Sequence, residues 1–194
     1  MDFFSRLFLS RKERTREQKD LIREKIHILK KKLNSEDKEK AAEIVFSKIE
    51  KTKEFKNART ILVYWSTPTE LPTHQYVKKW CNEKTILLPS VHGDSLCMKK
   101  FVSSEDMYSG SLGIEEPNTE NFDGKVDLAI IPGVAFDLEK NRMGRGRGFY
   151  DNFLSVNNIS TFGVGYDFQI IEKVPVRWGD MKMKKVISPN IMVG

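Results

Sequence analysis

The chain reads as an α/β protein in which a mainly parallel sheet is covered by helices. Three observations predict this. Four short apolar, β-branched runs, at 60–65 (TILVYW), 85–89 (TILLP), 128–131 (LAII) and 162–166 (FGVGY), have the length of strands rather than helices. Segments with helical period stand ahead of them and between them, and a β-α-β order favours parallel pairing under helical cover. At 194 residues the chain is large enough for one sizeable core, so a single domain is expected.

Composition narrows the function only a little. Hydrophobic residues make up 39% and charged residues 31%, ordinary for a folded globular chain. The formal charge of +6 favours anionic partners without choosing among nucleic acid, nucleotide and polyanionic metabolite. The two cysteines, Cys81 and Cys97, have no metal-type spacing, and His27, His74 and His92 form no zinc motif. A reducing compartment, the cytoplasm, fits best. No stretch approaches the length of a membrane span. The opening MDFFSRLFLSRKERTR has a short apolar cluster, but Asp2 precedes it and Arg6 interrupts it, unlike a secretory signal. Residues 1–16 therefore read as a basic arm or helix extension, and 17–194 as the domain.

The elements follow in order. Residues 17–33 form an amphipathic helix with Ile22, Ile26, Leu29 and Leu33 on its stripe and Leu21 and Ile28 widening it. Lys19 and Arg23, four apart, are surface neighbours along the stripe's edge. A second helix over 36–51, capped by Asn34 or Ser35, buries Ala42, Val45, Phe46 and Ile49. The strand at 60–65 runs into STPTELPT, which sets Glu70 just past a strand's carboxyl end, where open α/β sheets present ligand groups. An acid at a helix start has a blander reading as well, since the helix dipole favours it. A short helix after Thr73 turns Val77, Trp80 and Cys81 inward. Strands at 85–89 and 96–102 are joined by a turn at Gly93-Asp94. Residues 103–125 are turn-rich and irregular, long enough to wall a pocket.

The most informative stretch is 127–151, DLAIIPGVAFDLEKNRMGRGRGFYD. A strand breaks at Pro132-Gly133, and after a charged loop come Gly144, Gly146 and Gly148 with Arg142, Arg145 and Arg147 interleaved. Glycines admit left-handed backbone and close approach of a ligand to the main chain. Free N–H groups after a strand, with guanidinium forks beside them, suit phosphate oxygens. No Gly-Lys-Ser/Thr follows, and Phe149 stands where G-x-G-x-x-G requires its last glycine, so this is neither a P-loop nor a dinucleotide fingerprint.

PGVAFD followed by NRMGRGRGFYD resembles the signature of the 5-formyltetrahydrofolate cyclo-ligases (methenyltetrahydrofolate synthetases). The chain keeps every glycine of that pattern, Arg142, Tyr150 and Asp151, and departs at Met143 for leucine and Phe149 for tyrosine. Lys19-Asp20-Leu21-Ile22-Arg23 is similar to the family's Lys-x-x-x-Arg pair on the first helix, and Glu70 to Thr73 to its Glu-x-x-Thr. Pro175 to Asp180 resembles its Pro-x-x-x-x-Asp run, with Lys184 where a further aspartate often stands. The resemblance implies a three-layer α/β/α sandwich and an ATP- and Mg²⁺-dependent cyclisation of 5-formyltetrahydrofolate to 5,10-methenyltetrahydrofolate. It implies that Lys19, Arg23, Arg142, Met143, Gly144, Arg145, Gly146, Arg147, Gly148, Phe149 and Tyr150 hold ATP. Trp65, Glu70, Arg145, Phe149 and Tyr150 would line the folate, with Arg145 and Glu70 nearest the chemistry. Asp151 and Asp180 would hold Mg²⁺, which is usually bound by one or two carboxylates with phosphates and water. The folate, with or without a polyglutamate tail, is the expected partner of a monomer that binds neither nucleic acid nor membrane. Two rivals stay open at this point: an ATP-binding homologue without the activity, and a basic nucleic-acid-binding module, whose binding would fall steeply with salt.

Overall fold

The computed structural model describes residues 11–93, 95–110 and 113–194. It begins with helix α1 (Arg11–Lys31), followed by α2 (Ser35–Lys51) and the short α3 (Lys53–Asn57). The helix thus extends through residues 11–16, and the rest of the expected arm, 1–10, lies outside the described residues. Asn34 is the cap of α2, its side chain accepting from the Asp37 amide at 2.8 Å.

Leu21 and Ile28 do not widen the apolar stripe of α1; both are exposed, while Ile26 is buried. At about 100° per residue they point roughly 140° and 160° away from Ile26. Lys19, Arg23 and Lys30 instead fall within about 60° of it, so the inner face of α1 is apolar along one edge and cationic along the other.

The sheet is built from β1 (Thr60–Val63), β2 (Thr85–His92), β3 (Ser95–Lys100), β6 (Leu128–Pro132), β9 (Ser160–Val164), β10 (Lys185–Ile187) and β11 (Met192–Val193). Its order is β11-β10-β9-β6-β1-β2-β3. The inner pairings, β2·β1, β1·β6, β6·β9 and β9·β10, are all parallel, and β3 and β11 close the two edges antiparallel. Alternation along the strands sorts the core into two layers. Ile61, Val63, Ile86, Leu88 and Ile130 face α2, α3 and the short α4 (His74–Trp80). Leu62, Leu87, Ala129 and Ile131 face α5 (Phe149–Ser155), through Phe153 and Leu154. Helices on both faces make the three layers expected, and β1 and β6, covered on each side, are apolar throughout their buried length.

Residues 103–125 are less irregular than their turn-rich composition suggests. They contain a hairpin, β4 (Met107–Ser109) with β5 (Glu115–Pro117), which lies against β2. The Glu116 carboxylate is buried and accepts from the Val91 amide at 3.1 Å and from the hydroxyls of Ser90 and Tyr108. These strands are too short for a period-2 pattern to show. Among the described residues, no helix is long and apolar enough to cross a membrane.

Candidate functional site

The chain leaves β1 toward β2 on one side of the sheet and later returns to β6 on the other side of β1. That reversal opens a crevice beyond the carboxyl ends of β1 and β6, the place where open α/β sheets bind ligands. A cavity of about 450 Å³ occupies it, within the range of small-molecule sites. Its walls come from the loops after β1 and β6, the glycine-rich loop, α1 and the segment at Arg177–Asp180.

The glycine-rich loop is delivered by a small hairpin, β7 (Ala135–Phe136) with β8 (Arg142–Met143). Buried Asp137 organises its turn, accepting from the Asn141 backbone and side chain and from the Val174 amide, each at 2.9 Å. The hairpin aims alternate residues in opposite directions. Arg142 lines the cavity, whereas Met143 packs on Ala135 and Val174 and does not. Any ATP contact from Met143 is therefore limited to its backbone, and exchange of leucine for methionine there is a core substitution of similar volume. Gly146 has φ 111°, and a Cβ at that position would stand 3.3 Å from Arg23 Nη2, so the loop approaches α1 as only glycine allows. Gly148, at φ 73°, turns the chain into α5 and sets Phe149, Tyr150 and Asp151 on the cavity wall.

Two carboxylate–cation assemblies line this hollow. In one, Arg142, whose side chain is 3% exposed, pairs with Asp151 at 2.9 Å and lies 5.5 Å over the Tyr150 ring. The other Asp151 oxygen accepts from the Met181 amide at 3.2 Å. Beside it, Asp180 Oδ2 accepts from Lys19 and from the Arg177 amide, both at 2.8 Å. Arg23 also lines the cavity, bound to Asp20 at 2.6 Å and to the Gly144 carbonyl at 3.4 Å. In the second assembly Arg145 Nη2 donates to Glu70 at 2.8 Å and to Thr67 Oγ1 at 3.0 Å, and Thr67 in turn donates to Glu70. Arg147 is exposed on the rim.

The aromatic wall lies at the Glu70 end. Trp65 donates from Nε1 to Glu115 at 2.9 Å and packs against His74 and Phe101. Tyr64 donates to the Leu71 carbonyl and Tyr166 to the Glu70 carbonyl, holding the loop after β1 in place. Burial, and then the Glu70 charge, push the Tyr64 and Tyr150 hydroxyls far above the usual phenol range, so both remain protonated donors. Lys30 closes this end. Burial lowers its ammonium from 10.5 to about 8, Glu70 opposing the shift and Arg145 adding to it.

Sequence reasoning missed Lys30, Tyr64 and Thr67. Lys30 had a signal: it lies seven residues after Arg23 and eleven after Lys19, whole numbers of turns, hence on the same face. Lys184, which stands where a further aspartate was expected, is exposed and does not line the cavity.

The model of the 5-formyltetrahydrofolate cyclo-ligase family matches residues 15–189. The chain belongs to the 5-formyltetrahydrofolate cyclo-ligase family. A probable 5-formyltetrahydrofolate cyclo-ligase of Caenorhabditis elegans is 28% identical over 191 residues, covering 89% of this chain and 93% of that protein. The 5-formyltetrahydrofolate cyclo-ligase of Escherichia coli K12 is 32% identical over 144 residues, covering 69% of this chain and 79% of the relative. The NMR structure of Aquifex aeolicus 5,10-methenyltetrahydrofolate synthetase superposes with a TM-score of 0.81 at 29% identity, covering 90% of this chain and 91% of that one.

The Mg²⁺ expectation can be tested on the cyclo-ligase site itself. Among the described residues no group of three or more His, Cys, Asp or Glu could hold a metal. Asp151 and Asp180 both line the cavity and are tied together, since Asp151 binds the amide of the residue following Asp180. Both also have cationic partners. The pair fits an ion shared with phosphate oxygens and water, as Mg²⁺ prefers, and does not fit an all-protein cage.

Proposed function

We propose that the cavity holds the ATP triphosphate against α1 and the glycine-rich loop, with the reduced folate laid along the Glu70 end. Family membership makes the reaction the ATP-dependent conversion of 5-formyltetrahydrofolate to 5,10-methenyltetrahydrofolate, with release of ADP and phosphate. The observation that carries the residue roles is the convergence, on one cavity, of the Lys19/Arg23 pair, the loop Arg142–Gly148 and the Glu70–Arg145 pair.

The formyl oxygen of an amide is a poor leaving group. In this reading the γ-phosphoryl passes to that oxygen, giving ADP and an iminium phosphate. The substrate's N10 then attacks the formyl carbon, loses its proton, and the C–O bond breaks with departure of phosphate. Such a transfer needs in-line placement and neutralised charge more than covalent help from the protein. Lys19, Arg23, Arg145 and Arg147, with the amides of Gly144 to Gly148, are suited to grip the phosphates. Arg142 acts mainly from the wall, through Asp151 and the Tyr150 ring. Mg²⁺, held by Asp151 and Asp180, would neutralise charge on the phosphate oxygens. Arg145 bridges the two halves: it binds Glu70 now and can turn a guanidinium nitrogen to the transferring phosphoryl group. Trp65, Phe149 and Tyr150 supply apolar faces for the pterin ring.

A monomer is the oligomeric state in this reading, and the unpaired thiols Cys81 and Cys97 suit a reducing cytoplasm. The test mixes the protein with ATP, Mg²⁺ and 5-formyltetrahydrofolate and follows the near-ultraviolet absorbance of the methenyl product. An increase that requires ATP is expected. ATP binding without product would favour a non-catalytic homologue, and salt-sensitive oligonucleotide binding without turnover would favour the nucleic-acid module.

A further inference from the structure

Lys30 is 9% exposed and lies on the cavity wall. The other cations on the inner face of α1 are engaged: Lys19 with Asp180, Arg23 with Asp20 and the Gly144 carbonyl. Among the described residues the Lys30 ammonium has no hydrogen bond and no ion pair, and it is absent from the buried polar atoms sealed away from solvent. It therefore opens on the cavity. A lysine kept buried without a partner costs stability, and the cost is compensated where a ligand supplies the missing acceptor.

The position of Lys30 selects the acceptor. Seven residues of helix place it about 10 Å beyond Arg23 along the axis, within reach of the Glu70 and Arg145 charges. The charged groups facing it are Glu70, on the loop after β1, and Arg145, on the loop after β8. Arg145 already meets the Glu70 charge at 2.8 Å, so the acceptor that Lys30 lacks has to come from the ligand, and the pterin end of a folate offers neutral carbonyl oxygens.

Resting on the reading that the folate lies at the Glu70 end, we propose that Lys30 is a further substrate-contacting residue, whose ammonium donates to a carbonyl oxygen of the bound folate, either the formyl oxygen or the ring lactam oxygen.

The test uses the full chain without ATP, as parent, Lys30→Met and Lys30→Arg, and measures equilibrium binding of 5-formyltetrahydrofolate and of tetrahydrofolate. A hydrogen bond from a charged donor corresponds to a loss of about tenfold or more in affinity for the methionine variant. The arginine variant, which keeps a charged donor, should recover most of it. Loss for the formylated ligand alone assigns the contact to the formyl oxygen, and equal loss for both assigns it to the lactam. Parent affinity should weaken as pH rises through the range where the ammonium loses its proton, while the arginine variant stays level. Unchanged binding of both folates by Lys30→Met, with normal binding by the parent, overturns the assignment and leaves the cavity reading intact. A parent that binds neither folate overturns both.

Discussion

Replacing Asp151 with asparagine should destabilise the fold as well as disturb Mg²⁺. The Arg142 guanidinium is 3% exposed and its charge is met by Asp151 at 2.9 Å. Besides the Tyr150 ring, its other described contact is a hydrogen bond to the Pro132 carbonyl at 3.3 Å, and Nε has no partner. The substitution leaves a buried cation facing a neutral amide. Removing one partner from a buried ion pair costs about 3–5 kcal/mol, and because asparagine keeps one acceptor the lower end, about 3 kcal/mol, is expected. For a domain of this size about 2–4 °C accompany each kcal/mol, so the melting temperature should fall by roughly 6–12 °C. The melt is recorded without ATP or Mg²⁺, so that ligand binding cannot contribute. A melting temperature within about 2 °C of the parent would refute the view that Asp151 neutralises Arg142. The Mg²⁺ dependence of turnover, measured separately, should move to higher concentration, and an unchanged titration would remove Asp151 as a ligand.

The remaining expectations concern the same walls. Arg145→Ala should lower turnover by about 10²-fold or more, as for a lost transition-state donor, and near-normal turnover would take Arg145 out of the phosphate site. Asp180→Asn should raise the Mg²⁺ requirement and also leave buried Lys19 without its carboxylate; an unmoved Mg²⁺ midpoint would reject Asp180 as a ligand. Lys30→Met should stabilise the protein at pH 7. The fall of the ammonium from 10.5 to about 8 corresponds to a burial cost of about 3 kcal/mol. The unfolded chain keeps its proton up to about 10.5 and the folded one releases it near 8, so this contribution makes the parent more stable as pH rises across that window. The advantage of Lys30→Met should therefore be greatest below pH 8 and close toward pH 10.5, read by urea unfolding; equal stability at pH 7 would contradict it.

How much of this was legible beforehand depended on the range of the interaction. The strands at 60–65, 85–89 and 128–131 announced themselves because a strand buried on both faces is a continuous apolar run, whatever surrounds it. The glycine-rich loop was legible for a related reason: Gly146 and Gly148 occupy left-handed backbone that other residues resist, so the requirement is written locally. The β4/β5 hairpin was not, because three-residue strands carry no period. The outward turn of Leu21 and Ile28 was legible but misjudged: at about 100° per residue both stand far from the stripe of Ile22, Ile26, Leu29 and Leu33.

The amino-acid sequence by itself determined the α/β class, the positions of the principal elements, and the group of residues from which the site is drawn, since propensity, period and motif act over a few residues. Only the tertiary structure decided which charge meets which. Arg142 binds Asp151 nine residues on, but Arg145 reaches Glu70 across 75 residues and Lys19 reaches Asp180 across 161. Nor could residue order alone leave Lys30 without a partner while its neighbours on the helix have theirs. Pairing at such separations follows from where the sheet reverses its strand order and which loops it gathers at that crevice, and that is a property of the folded chain.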